Sequence, residues 1–185
     1  MKLFGVLFVL FYLSAPSFAL VPVTGTIVNL PTGKGIELPE GKQLVVRTEN
    51  EDIRRQISYL EAGDVMAGTG RIEGRVITLE GLDFVGLRKV LGYWTANETL
   101  VNFSSFSDVR VIAFQKTPEN SLRRIERRFK YSLSPGSGRE WIIFVSDDQS
   151  TLLGSISVRQ SSATVRFFNP ETGELEDSFT LRRVQ

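Results

Sequence analysis

The chain has 185 residues, 22 of them basic and 21 acidic, and it contains neither histidine nor cysteine. Without cysteine there can be no disulfide scaffold and no lipid attachment to a thiol, and the two absences together remove most zinc, copper and haem ligation. Ser-His-Asp and Cys-His catalysis are excluded outright, and so even a charge balance argues against a general polyanion binder.

At the amino terminus Lys2 supplies a positive start, Leu3 to Leu13 form an apolar stretch, and Ser14-Ala15-Pro16 end it before Ser17-Phe18-Ala19. A membrane-spanning helix needs roughly 20 apolar residues, and this stretch is too short. Small residues at 17 and 19 suit a signal peptidase. Residues 1–19 are therefore expected to be a cleavable secretory leader. The mature chain would then be periplasmic or extracellular, with no transmembrane segment after cleavage. A cysteine-free exported chain suits a bacterial envelope, because exported animal proteins usually carry disulfides. Charge is uneven beyond the leader: residues 20–109 hold 9 basic and 12 acidic side chains, residues 110–185 hold 12 and 9.

The chain then reads as mainly β. Gly25-Thr26-Ile27-Val28 and Gln43 to Thr48 have the β-branched content of strands, and Val65 to Gly68 begins another. Arg71 to Leu79 looks like a hairpin turning at Glu73-Gly74. Leu87, Val90, Leu91 and Trp94 recur at i, i+3, i+4 and i+7, which predicts a short amphipathic helix. A strand is expected over Val109 to Phe114. A joint near Gln115 to Pro118 divides a first domain, residues 20–116, from a second, residues 117–185.

The first part, with Leu60 to Asp64 leading into Gly68 to Ile72 and then Gly81 to Leu87, resembles an OB-type small barrel over roughly residues 23–115. In that fold a helix plugs the barrel between its third and fourth strands. The resemblance implies a scaffold for an oligonucleotide, oligosaccharide or protein ligand. The matching strands offer Arg47, Arg71 and Arg75 but no aromatic side chain for base stacking, so nucleic acid is not an expected partner.

The second part opens on a helix signal. Thr117 suits an N-cap, Pro118 the first helical position, Glu119 the positive helix start, and Leu122, Ile125 and Phe129 share one stripe. An antiparallel meander of about five strands follows. Its strands are Phe129–Leu133, the apolar run Trp141–Val145, Leu152–Val158, Ala163–Phe168 and Glu174–Val184, separated by turns at Pro135–Gly138, Gln160–Ser162 and Asn169–Gly173. On the expected helix, Arg123 and Arg127 stack at i and i+4, as do Arg124 and Arg128. Four guanidiniums then share one face, a candidate site for an anionic partner, against the blander reading of a solvated helix surface.

No catalytic or metal-binding motif is recognisable and no cofactor is expected. Asp147-Asp148-Gln149-Ser150 lacks the longer ligand pattern of a calcium loop. Gly68-Thr69-Gly70 and Gly136-Ser137-Gly138 lack phosphate-loop spacing and read as turns. Trp94 and Trp141 read as core residues, and Arg166 as the cross-strand partner of Glu176. The chain reads as an exported, non-enzymatic binding or accessory protein whose partner is an envelope protein, lipid or glycan. Two alternatives stand beside that reading. One is a cell-wall glycan hydrolase with paired carboxylates, placed among clusters such as Glu49, Glu51 and Asp52; the other is a structural subunit of a surface assembly.

Overall fold

Alternating and β-branched sequence covers most of residues 19–184, the part of the chain that the computed structural model describes, and thirteen strands form there. The expected leader lies outside the described residues except for Ala19. Among the described residues no helix is long and apolar enough to cross a membrane.

The first five strands are β1 (Val21–Leu30), β2 (Gly33–Glu37), β3 (Gln43–Arg47), β4 (Val65–Glu73) and β5 (Val76–Gly86), and they close a small barrel in the order β1-β2-β3-β5-β4. Only the β3–β5 pairing is parallel. Val23, Ile27, Ile36, Leu44, Met66 and Ile77 fill its interior.

One α-helix, α1 (Glu51–Tyr59), connects β3 to β4. Asn50 caps it, its side-chain oxygen accepting from the backbone N–H of Asp52 at 2.9 Å and of Ile53 at 3.2 Å. Glu51 and Asp52 in the first turn complement the positive end of the helix dipole. Ile53 and Ile57, one turn apart, bury against the barrel. Glu51 and Asp52, named from sequence among candidate paired carboxylates, are therefore the acidic first turn of a helix. The predicted helix over Leu87 to Trp94 does not form. Leu87 and Val90 are buried around a 3-10 turn (Arg88–Val90), and Gly92 follows at φ 111°, which no right-handed helix accommodates.

The remaining strands are β6 (Gly92–Ala96), β7 (Thr99–Phe103), β8 (Asp108–Lys116), β9 (Leu122–Pro135), β10 (Trp141–Ser146), β11 (Thr151–Arg159), β12 (Ser162–Phe168) and β13 (Leu175–Arg183). Each pairs antiparallel with the next, and β13 returns to β6, so the eight form a closed up-and-down barrel. Residues 92–116, grouped by sequence with the first half, are hydrogen-bonded into this second barrel. The sheets change over between Gly86 and Gly92, and one core cluster runs through both barrels.

The second predicted helix is also overturned. Thr117 to Ser121 is a hairpin turn: Thr117 N–H donates to Ser121 O at 2.8 Å, and Asn120 takes φ 65°. The chain then continues as β9, not as a helix with an arginine face. Leu122, Ile125 and Phe129 fit a helical stripe, but Ile125, Phe129, Tyr131 and Leu133 also share one parity, which is the strand period. The choice falls to the strand because β8 supplies a partner in register from Lys116↔Leu122 to Asp108↔Lys130. A helix here would leave those backbone groups of β8 without that ladder.

Candidate functional site

Alternation along β6–β13 sends one set of side chains into the second barrel, and the set is almost wholly apolar. At the base, Trp94, Trp141, Leu133, Ile156 and Leu181 are each at most 2 % exposed and fill the lumen. Trp94 Nε1–H donates to Val90 O at 2.7 Å, and the Arg183 guanidinium lies 4.4 Å from the Trp94 ring centroid. Arg183 also donates to Leu91 O at 3.1 Å and to Lys89 O, so the base is tied to the segment entering from the first barrel.

Above that plug the lumen is open. A cavity of about 170 Å³ lies among Val101 and Phe103 of β7, Val109 and Val111 of β8, Phe129 of β9, and their neighbours across the barrel on β10–β13. Every side chain lining it is Val, Leu, Ile or Phe. Gly154 keeps part of this space clear, since a Cβ there would stand 2.9 Å from the Phe167 ring and 3.2 Å from Ile143. Leu152 lines the cavity yet is 43 % exposed, which marks the mouth at the end carrying the β10–β11 turn.

The polar groups near the base are satisfied locally. Phe103 and Tyr131 meet edge to face at 5.0 Å, and the Tyr131 hydroxyl donates to Ser105 O at 2.8 Å. Burial, aided by the charge of Asp108, raises Tyr131 so that its phenol stays neutral. Asp108 is drawn down to about 2 by Lys130 first, and then by the hydroxyls of Ser105 and Ser107, each 2.8 Å away.

The arginines singled out from sequence lie on β9 beside the mouth, but not on one face. Arg124 and Arg128 share the outward side with Glu126 and Lys130. Arg123 and Arg127 share the inward side with Ile125 and Phe129, because Arg127 pairs in register with Val111 and Arg123 with Gln115. On the outward side Glu126 meets Arg124 at 2.6 Å, Arg110 at 3.1 Å and Arg128 at 3.6 Å. The four guanidiniums expected to act together are split by the two-residue period of the strand.

Two clefts lie between the barrels. The larger, of about 820 Å³, gathers Lys34, Lys89, Arg139 and Arg159, but most of these are engaged within the fold. Lys34 Nζ donates to Leu60 O at 2.7 Å, Lys89 faces Glu61 at 3.6 Å, and Arg139 lies 5.8 Å from the Tyr59 ring centroid. The other cleft, of about 570 Å³, includes Asp52 and Glu140; each meets an arginine, Arg55 at 3.9 Å and Arg166 at 2.6 Å. The predicted Arg166–Glu176 pair is replaced by Arg166–Glu140. A register shift at Phe167/Phe168 sets Arg166 opposite Ser178, and Glu176 accepts from Asn169 instead.

Asp64, which the sequence did not single out, is a buried acid that ties the first barrel to the segment leading into the second. Its carboxylate accepts from the backbone N–H groups of Glu61 and Arg88, both at 2.7 Å. Burial raises it and those two donors pull it back. Asp147 accepts from the backbone N–H groups of Gln149 and Ser150 in its own turn, and among the described residues no cluster of three acids stands in a metal-holding arrangement. The cavity itself was not legible in the sequence: alternating Val and Phe on β7, β8 and β12 signal an apolar sheet face, and only closure makes that face a lumen. Compared with family models, curated proteins and solved structures, the chain matches none.

Proposed function

We propose that this chain is an exported, non-enzymatic binding protein of the bacterial envelope that holds one small apolar ligand inside its eight-stranded barrel. The observation carrying this reading is the hydrocarbon-lined cavity with its open mouth. Eight strands are about the size at which a barrel is either filled by side chains or holds one small ligand. Here the base is filled and the upper lumen is not. Water is a poor occupant, because a buried water needs two to four polar partners and the lining offers none. An apolar ligand seated there removes hydrocarbon surface from water, at about 25 cal/mol per Å² buried.

In this reading the first barrel is an OB-type scaffold. Its strand order, with α1 between the third and fourth strands and a parallel β3–β5 closure, supports that assignment. Neither β2 nor β3 carries an aromatic residue, which speaks against nucleic-acid stacking. Export rests on the apolar leader over residues 1–19.

The test is a calorimetric titration of the mature chain with p-xylene, a neutral hydrocarbon small enough for the lumen. Saturable binding at one site is expected, and Val111→Phe, which fills part of the cavity with a ring, should weaken it at least about tenfold while leaving thermal stability equal or higher. Absence of binding, or binding indifferent to that substitution, overturns the reading. Export is checked separately by sequencing the amino terminus of the envelope form, expected near Leu20; intact chain in the cytosol overturns that part.

A further inference from the structure

We propose that the ligand is an anionic single-chain amphiphile whose carboxylate or phosphate head is received by Arg127 and Arg123 while its hydrocarbon tail enters the barrel. This rests on the reading of the lumen as an apolar-ligand site and adds the chemistry of its mouth.

Directly paired residues of an antiparallel ladder point to the same side of the sheet. Arg127 is the register partner of the cavity-lining Val111 and stands two residues before the cavity-lining Phe129. At about 3.3 Å of rise per residue, its Cα lies roughly 7 Å along the strand from that of Phe129, toward the mouth. A guanidinium is thus rooted on the face that forms the hydrocarbon wall, and Arg123 stands four residues further out on the same face.

The two faces of this strand differ in how their charge is met. Outward-facing Arg124 and Arg128 converge on Glu126 together with Arg110. Among the described residues no carboxylate lies within 4.0 Å of Arg123 or Arg127. Asp147, in the β10–β11 turn, is close enough to interact electrostatically with Arg127, but its Oδ1 already accepts from Gln149, Ser150 and the Ser150 hydroxyl. Asp177, the register partner of Phe167 on β13, is the acid across the barrel. Two cations on one lip with Asp177 opposite fit a single anionic head better than a polyanion.

The ladders leave this lip accessible. The β9–β10 pairing begins only at Lys130↔Ser146, and the β7–β8 pairing ends at Thr99↔Ala113. The β8–β9 ribbon therefore overhangs the mouth, and β10 does not pair with the first half of β9. A guanidinium there can take a carboxylate or phosphate bidentately. The cavity below holds roughly five or six water-sized groups at about 30 Å³ each, enough for the distal part of a medium-length chain.

The mature chain is titrated calorimetrically with three ten-carbon probes: decanoate, decyl phosphate and decanol. Both anions should bind at least tenfold more tightly than decanol. Arg123→Gln combined with Arg127→Gln should abolish that preference and leave decanol binding unchanged, which also reports that the barrel is intact. Arg124→Gln combined with Arg128→Gln should alter anion affinity less than twofold. Decanol binding as tightly as the anions, or equal losses from the two double variants, overturns the head-group assignment while the apolar site stands. Binding of none of the three probes overturns both. A preference between decanoate and decyl phosphate identifies which head the lip accepts.

Discussion

Asp108 and Asp64 are carboxylates whose surroundings shift them in opposite directions. Lys130 and two serine hydroxyls hold Asp108 down to about 2 from an ordinary 3.8, so the unfolded chain takes up this proton before the native one does. Its stabilising contribution is complete above pH 3.8 and is lost as pH falls toward 2. Asp64 has the opposite sign: burial raises it, so its contribution is complete below pH 3.8 and is lost as pH rises through the raised value. The two windows do not overlap. Asp108→Asn should therefore flatten the fall in melting temperature between pH 4 and pH 2, measured by circular dichroism, with no change in the limb above pH 4. Superimposable acid limbs for variant and parent would show that the Lys130 contact contributes nothing to stability.

Among the elements, the seam of the second barrel is its thinnest joint. β13 and β6 share only the pairs Arg182↔Thr95 and Arg183↔Trp94, whereas β9 and β10 share six. Arg183 compensates with its side chain, stacking on Trp94 and donating to Leu91 O and Lys89 O. Its backbone N–H is also bonded, to Ser161 O at 2.9 Å. Arg183→Ala should cost about 2–3 kcal/mol in urea unfolding, from the lost charged hydrogen bonds and the cation–π contact. Arg183→Lys should recover less than half, because an ammonium cannot reproduce the planar fork over the indole. A loss under about 0.5 kcal/mol would mean that backbone pairing alone closes the seam.

For the molecule as a whole, two barrels do not imply two independent units. Only the short segment 87–91 links them, and their buried side chains join in one cluster that includes Leu60, Val85 and Leu87 alongside Trp94 and Trp141. Side-chain-to-backbone bonds cross the boundary as well: Gln56 Nε2–H donates to Gly136 O at 2.6 Å and the Ser134 hydroxyl donates to Asp83 O at 3.1 Å. Exposing either barrel alone would uncover the shared surface, so unfolding should appear as one calorimetric transition with matching calorimetric and van't Hoff enthalpies. Two resolved transitions would show that each barrel stands without the other.

Local order was legible where a short window carries the cause. Alternation at Phe129–Leu133, the apolar run Trp141–Val145 and the Asn169–Gly173 turn announced the β-meander, and composition alone removed histidine and cysteine chemistry. Helices were misplaced because windows of this length fit two periods. Ile125 and Phe129 satisfy both the helical and the strand pattern, whereas α1 shows only Ile53 and Ile57, a signal weaker than its Asn50 cap. What decided between them was a partner far along the chain, β8 for β9 and the first barrel for α1. The same non-local pairing of β13 with β6 turns an apolar sheet face into an enclosed lumen, and it makes the face that Arg127 shares with Phe129 the inner one. Periodicity prescribes which side chains share a face; only closure of the hydrogen-bond ladder decides what that face encloses.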